Sequence, residues 1–300
     1  MKVAVCAIAK KENLYIREWV EWYKNLGVSK IFIYDNNDVD GERFEEVIND
    51  YIESGFVEVI DVRGVETSSI QVNKYEQAYR SSIQHTCYIE CYKERVSEFD
   101  WVLFCDVDEF IEFKFDYTLE SFLNDDVFKD ADVIMCPWIT YDDNGLLHYE
   151  DRPVVERFTH LSKRQWYAFK SFVRTNKEVY DESIRHIIHT FRLVGDRVKY
   201  ADGLKVNGLN DDHNFYVIPK SEVDTLLPHY KCVVNHYKTK TIEEYLERRY
   251  NRVWTQDGFL AYPKLEKIED TIKEFFSYCD ETDEKLQYIE EFKKKHNIES

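Results

Sequence analysis

Two rhythms of apolar and polar positions alternate along the first hundred residues. Lys2 to Ala9 is an apolar, β-prone run, and Ile16, Trp19, Val20, Tyr23 and Leu26 then recur at helical spacing, with Gly27 placed to stop the helix. Lys30 to Tyr34 predicts a second strand that ends in Asp35-Asn36-Asn37, and Phe44, Val47, Ile48 and Tyr51 mark a second helix before Gly55. Phe56 to Ile60 predicts a third strand ending in Asp61, followed by a longer helix with Tyr75, Ala78, Tyr79, Tyr88, Ile89, Tyr92 and Val96 on its buried face. Trp101 to Cys105 is unbroken apolar and gives way at once to Asp106-Val107-Asp108-Glu109. A continuous run of this kind reads as a strand buried on both faces, as in a parallel sheet. The βαβαβαβ order predicts an α/β fold with a mostly parallel central sheet, right-handed crossovers and flanking helices.

The second half is less regular. Asp132 to Cys136 reads as a strand interrupted by Pro137-Trp138, and Cys232 to Tyr237 as another. Thr241-Ile242-Glu243-Glu244 fits a capping box that opens a helix through Tyr250. Two charged amphipathic helices, near Lys264 to Tyr278 and Asp283 to Lys295, form a helical tail. With no repeat or linker in view, one domain is expected, with working divisions at 1–130, 131–240 and 241–300.

Three hundred residues with 44% apolar content give ample material for a core. The net charge of −18 argues against nucleic acid as the main partner, since phosphate backbones demand basic surface. A phosphorylated ligand therefore needs local compensation, from a cation or a few placed Lys and Arg side chains. No stretch reaches the roughly 18 apolar residues of a membrane span, and the first run reads as a strand, not a signal peptide. Seven cysteines, odd in number and without a C-x-x-C pair, favour buried thiols and a cytoplasmic location. Neither G-x-G-x-x-G, nor a P-loop, nor a G-x-S-x-G elbow is present.

The chemistry concentrates at strand ends. In a parallel sheet Asp35, Asp61, Asp106 and Asp108 fall on one edge, where open α/β sheets bind ligands. If the chain stays extended through Asp106 and Asp108, their carboxylates point the same way and call for a hard cation, Mn²⁺ or Mg²⁺, which would in turn hold a diphosphate. Asp35 suits the N–H of a uracil or a ribose hydroxyl, and it suits a tight turn equally well. Lys170, Lys240 and Arg174 are candidate phosphate contacts, Arg174 being favoured for its fork of donors. Trp138, Tyr141 and Trp166 could stack on sugar rings or pack in the core. His186 and His189 have the spacing of a helical zinc pair, but their surroundings read as a strand.

The segments CAIAKKENLYIREWVEWYKNLGVSKIFIYDNNDVDG and FDWVLFCDVDEFI resemble the opening and the Asp-x-Asp-Glu-Phe signature of the glycosyltransferase family 2-like group. PWITYDDNG, FKSFVR and NHYKTKTIEEY are similar to later segments of that group, so the resemblance runs from about Lys2 to Asn251. Lys11-Glu12-Asn13 inverts the group's Asn-Glu order, and Tyr141 and Asp142 stand where it has Phe and Gly. The resemblance implies a GT-A fold, of bacterial surface-glycan type, and transfer of a hexose from a nucleotide-diphosphate sugar to a glycan hydroxyl, with UDP-sugars favoured and inversion expected. It implies Asp106, Asp108 and His236 around the cation, and Ala9, Lys10, Glu12, Asp35, Asp61, Asp106, Arg174 and Lys240 around the nucleotide sugar. Trp138, Tyr141 and Trp166 would face the acceptor or sugar. Asp142 and Asp143 are candidate bases, with Asp211 and Asp212 as alternatives. The implied partners are the donor and a glycan acceptor, lipid-linked or soluble, with peripheral docking at the inner face of the cell membrane left open. Two other readings stand beside this one. A haloacid-dehalogenase-like phosphatase also places Asp-x-Asp after a strand, but Phe110 occupies its Thr position. A non-catalytic nucleotide-sugar-binding module would keep the pocket without the metal carboxylates.

Overall fold

The structure, a computed structural model, describes residues 1–65, 68–72, 78–179, 189, 191–206, 216–219, 227–251 and 268–298. The chain forms two compact units built from interleaved segments. The first comprises Met1–Trp138, Tyr167–Tyr216 and Leu226–Asn235; the second comprises Ile139–Trp166, Val217–Thr225 and His236–Ser300. These units cut across the divisions expected at residues 130 and 240.

The first unit begins with β1 (Val3–Ala9), α1 (Ile16–Asn25), β2 (Lys30–Asp35), α2 (Glu45–Glu53) and β3 (Val57–Asp61). The apolar stripe of α1 buries Ile16, Trp19, Val20 and Tyr23. The helix stops where Gly27, at φ +91°, donates its N–H to the Lys24 carbonyl, a conformation that an L side chain rarely adopts. A hairpin of β4 (Ser68–Val72) and β5 (Ala78–Ser82) follows, then α3 (Ile83–Glu94) and β6 (Trp101–Phe104). The long helix expected from Tyr75 onward is therefore shorter. Ala78 and Tyr79 are in a strand, Tyr75 lies outside the described residues, and Ser82 caps α3 by accepting the N–H of His85 at 3.2 Å.

Further along come β7 (Glu109–Phe113), β8 (Val133–Thr140), β9 (Arg164–Tyr167), β10 (Phe169–Arg174), β11 (Val198–Tyr200), β12 (Tyr216–Pro219) and β13 (Cys232–His236). The main sheet runs β3-β2-β1-β6-β10-β8-β13-β7, with β11 beside β8. Strands β3, β2, β1 and β6 are parallel, as their apolar runs predict. Strand β10 is antiparallel to both β6 and β8, so the sheet is mixed beyond its parallel half. Pro137 does not end β8. It is paired with Phe169 of β10, and the strand continues past it to Thr140, with the Trp138 N–H donating to the Ala168 carbonyl at 2.8 Å. One core gathers Ala4, Cys6, Phe32, Tyr34 and Phe104 with Cys87, Tyr88, Cys91 and Tyr92 of α3. All seven cysteines are buried free thiols.

The register aligns the strand exits. Ala9 pairs with Asp35 and Asp35 with Asp61, while Cys6 pairs with Phe104. The exits of all four parallel strands thus meet at one margin, where loops can carry polar side chains without breaking the ladder.

In the second unit, helices Ile242–Asn251, Ile268–Tyr278 and Asp283–Lys295 bury Tyr245, Leu246, Phe275, Tyr278 and Phe292 in a cluster of their own. The expected capping box is present. Thr241 Oγ1 accepts the Glu244 N–H at 3.2 Å, and Glu244 Oε2 accepts the Thr241 N–H at 3.3 Å.

Candidate functional site

The acidic motif is a turn, not a strand extension. Strand β6 ends at Phe104, and the Glu109 N–H donates to the Asp106 carbonyl at 3.1 Å. The strand alternation expected to point Asp106 and Asp108 the same way therefore does not operate here. The Glu109 side chain closes the turn from the other side, since its Oε2 accepts the Asp106 N–H at 2.7 Å. Trp19 Nε1 and Tyr23 OH of α1 both donate to the Glu109 carbonyl, at 3.0 and 3.1 Å. The apolar face of α1 thus supplies the two donors that pin this loop.

The Asp106 carboxylate has two kinds of partner. Oδ1 accepts Gln84 Nε2 at 2.7 Å and Tyr88 OH at 3.2 Å, both from α3. Oδ2 lies 2.9 Å from Lys170 Nζ, which is also 3.3 Å from Glu109 Oε2. Lys170 and Glu109 have fully buried side chains, whereas that of Asp106 is 34% exposed. Burial pushes the Glu109 carboxyl well up, against the pull of Lys170, and the Asp106 and Asp108 charges push it further. Burial also works against the Lys170 ammonium, but Asp106 and Glu109 more than offset it and hold the lysine charged. Asp108 is nearly buried beside them.

Lys170 and Arg174 sit four residues apart on β10, and the register separates their roles. Arg174 pairs with Trp101, at the start of β6 and the opposite end from Asp106. Its guanidinium lies 4.2 Å from the Trp101 ring centroid, and its Nε donates to the Ala131 carbonyl at 2.6 Å. The phosphate role expected for Arg174 is therefore unsupported, because the antiparallel direction of β10 carries it away from the ligand edge.

A second polar cluster lies at the ends of β1 to β3. Asp35 is 1% exposed, and its Oδ1 accepts the Asn37 N–H at 2.9 Å. Burial raises the Asp35 carboxyl, opposed by the Asn37 N–H and by Arg63. Asp61 is mostly exposed and grips Arg63 through two bonds, Nε to Oδ1 at 3.0 Å and Nη2 to Oδ2 at 2.7 Å. The bonded Arg63 side chain holds the Asp61 carboxyl down at about 2. Arg63 Nε in turn lies 3.6 Å from Asp35 Oδ2. Asp35 Oδ2, Asn37 Nδ2 and Arg63 Nη1 are buried with no hydrogen-bond partner among the described residues. Nearby, Asn37 Oδ1 accepts the Lys11 N–H at 2.7 Å, Lys10 Nζ lies 2.6 Å from Asp38, and the Ala9 carbonyl accepts the Asn36 N–H at 2.9 Å. Glu12 is buried, and its carbonyl accepts the N–H groups of Tyr15 and Ile16 at the start of α1. The sequence singles out Asp35 and Asp61, and the structure adds Arg63 and Asn37 as their bonded neighbours. The signal was there in Asp-x-Arg at a strand end, since a carboxylate two residues before an arginine can anchor its fork.

Trp138 is half-buried and edge-on to His189, with ring centroids 5.3 Å apart. His186, the other half of the considered zinc pair, lies outside the described residues, as do Asp211 and Asp212.

In the second unit, Asp142 accepts the Asn144 N–H at 2.8 Å, and burial followed by the Asp143 charge raises its carboxyl. Asp143 is buried 2.5 Å from the buried Lys285 ammonium, which also donates to the Asp280 carbonyl. This pairing ties the last helix to the Asp142–Asn144 turn and gives Asp143 a structural part. Tyr141 stacks on Tyr237 at 5.0 Å. Trp166 packs against the helical cluster, with its Nε1 donating to Tyr278 OH at 2.5 Å and Arg164 4.6 Å over its ring. A ring so covered serves packing, not the sugar stacking expected of it. His236 ends β13 and is buried; Lys240 is buried at φ +56°.

Two carboxylates in a pinned turn lie at the margin of a parallel sheet that also carries a buried donor–acceptor cluster, the polar edge of an α/β fold. The chain belongs to glycosyltransferase family 92, whose family model matches residues 1–294. A family 92 protein of rice (Oryza sativa subsp. japonica) is 30% identical over 121 residues, covering 40% of this chain and 18% of that protein. Another, from Ricinus communis, is 24% identical over 261 residues, covering 85% of this chain and 38% of that protein. The chain thus spans less than two fifths of the length of these curated relatives. A crystal structure of an active-site mutant of LgtC overlaps 94% of this chain and 98% of its own, at 13% identity and a TM-score of 0.38. The glycosyltransferase class expected from the sequence therefore holds, but the matching family is 92, not the family 2-like group, and these curated relatives come from plants. Family membership displaces the phosphatase reading. Among the described residues no helix is long and apolar enough to cross a membrane.

Proposed function

We propose that this chain is the catalytic part of a metal-dependent transferase that moves a hexose from a nucleotide-diphosphate sugar, UDP-linked by preference, to a hydroxyl of a glycan. The observation that carries this is the pinned Asp106–Glu109 turn on the same sheet margin as the Asp35–Asn37–Arg63 cluster.

The cluster suits a uracil. Asp35 Oδ2 would accept one N–H, and Asn37 Nδ2 and Arg63 Nη1 would donate, the acceptor and donor types that an imide N–H and its two carbonyls call for. A ribose hydroxyl is the alternative guest of Asp35. The motif carboxylates fit a hard cation by donor type, because Mg²⁺ and Mn²⁺ take one or two carboxylates and fill the remaining positions with phosphate oxygens and water. Among the described residues no group of three or more His, Cys, Asp or Glu side chains is arranged to hold a metal ion, so the phosphates would supply the rest of the shell. Asp108 and the exposed flank of Asp106 would hold the ion. When bound, it stabilises the negative charge that builds on the departing diphosphate, without a proton transfer. The residues of the turn hold these oxygens in place beforehand, so no reorganisation is needed as the glycosidic bond breaks. Inversion would need a base for the acceptor hydroxyl, and of the two candidates in the second unit Asp142, whose carboxyl burial makes more basic, is chemically better suited than the ion-paired Asp143.

The test is a panel of nucleotide sugars scored by released nucleoside diphosphate, with and without Mn²⁺. Wild-type protein should turn over a UDP-sugar only with the ion present. Asp108→Ala, folded by circular dichroism, should lose about two orders of magnitude or more in kcat. Equal turnover by this variant would overturn the assignment.

A further inference from the structure

The buried ammonium of Lys170 takes no part in the proposed transfer, yet it holds one of the two motif carboxylates. Its side chain is fully buried, and its Nζ lies 2.9 Å from Asp106 Oδ2 and 3.3 Å from Glu109 Oε2. Burying a lysine is costly unless it is paired, so the surrounding fold commits two carboxylates to it. Strand register fixes this placement. Ser171 pairs with Phe104, which sets Lys170 one residue beyond the end of β6, beside the turn. Glu109 is itself fixed, because the same Oε2 closes the turn by accepting the Asp106 N–H. Gln84 and Tyr88 occupy Oδ1 of Asp106, so Oδ2 is the oxygen on which the ammonium bears.

We propose that Lys170 is a positioning residue that competes with the divalent cation for Asp106, holding the carboxylate oriented in the cation-free protein and limiting how tightly the cation binds. The physical reason is that two cations cannot share one carboxylate oxygen at contact distance without repulsion, and Lys170 cannot retreat because its stem is enclosed. A cation opposed in this way would be held less tightly by Asp106 than by an uncontested carboxylate. Such a role differs from that of a merely structural lysine, whose removal would weaken the site or leave its affinity alone.

This inference rests on the proposed cation site, and the experiment separates the two. Mn²⁺ binding is measured directly on the full chain without substrate, from the loss of the free Mn²⁺ signal in electron paramagnetic resonance. If wild-type protein and Asp108→Ala bind Mn²⁺ equally poorly, the cation site itself fails. If wild-type protein binds and Asp108→Ala does not, the site stands and Lys170 is tested in turn. Lys170→Met should then bind Mn²⁺ about tenfold tighter, whereas Lys170→Arg, which keeps the charge, should stay near wild type. In an Asp106→Asn background Lys170→Met should give no tightening, because the contested oxygen is gone. Should Lys170→Met not fold, Lys170→Met with Glu109→Gln removes both buried charges and should show the same tightening. Unchanged or weaker Mn²⁺ binding in the folded lysine variant would overturn the proposal.

Discussion

On the proposed function, the residues expected to have the largest effect on ligand choice are those with buried polar atoms that find no hydrogen-bond partner among the described residues. Asp35 is the clearest of these, since Asn37 uses one of its oxygens while the other faces the Arg63 Nε from 3.6 Å. Asp61 contributes indirectly. It is exposed and spends both oxygens on the Arg63 fork, which aims the guanidinium toward Asp35. Asp35→Asn replaces an acceptor by a mixed donor–acceptor group and removes a charge from beside Arg63. Calorimetric titration should show UDP binding weakened about tenfold or more, in line with hydrogen bonds to charged groups, while the melting temperature changes little. An unchanged UDP affinity would remove Asp35 from the nucleotide pocket.

At the scale of elements, continuous apolar runs made β1, β2, β3 and β6 legible, because a short apolar run bounded by turn residues suits a strand buried on both faces. The hairpin of β4 and β5 was not legible, since Ala78 and Tyr79 also fit a helical stripe and only the Ser82 cap marks where α3 starts. Lys170 and Arg174 show a deeper limit. Four residues apart on a strand, they share a face but sit about 13 Å from each other along it, and only the direction of β10 decides which meets the acids. A single sequence does not carry that direction. The same dependence on register brings Lys231, just before β13, to Asp125, after helix Leu119–Leu123. Asp125 accepts from Lys231 Nζ at 2.7 Å, from Tyr117 OH at 2.5 Å and from the Val127 N–H at 3.0 Å. Burial would raise this carboxyl, but these partners bring it down to about 2, from an ordinary 3.8. Because the folded value lies below the unfolded one, the contribution is complete above about pH 4 and is lost as pH falls toward 2. Asp125→Asn should therefore destabilise the protein at pH 7 and flatten the decline in stability between pH 4 and 2, as followed by urea unfolding. A decline as steep as in wild type would rule this out.

For the whole molecule, the difficulty is charge. If a chain of net charge −18 is to handle a diphosphate, as proposed, it must concentrate positive charge where the phosphates would sit. Lys170 is already committed to Asp106 and Glu109, and Arg63 to Asp61 and Asp35, so neither offers a free cation to a pyrophosphate. The proposed divalent ion on the Asp106–Asp108 turn would resolve this imbalance, which makes the dependence of UDP binding on that ion the most direct check. Isothermal titration of UDP into the wild-type chain, with Mn²⁺ and then with chelator, should show at least about a tenfold loss of affinity when the ion is removed. In Asp108→Ala the two conditions should give the same weak binding. UDP bound equally well with and without Mn²⁺ by the wild-type protein would contradict a cation-borne diphosphate.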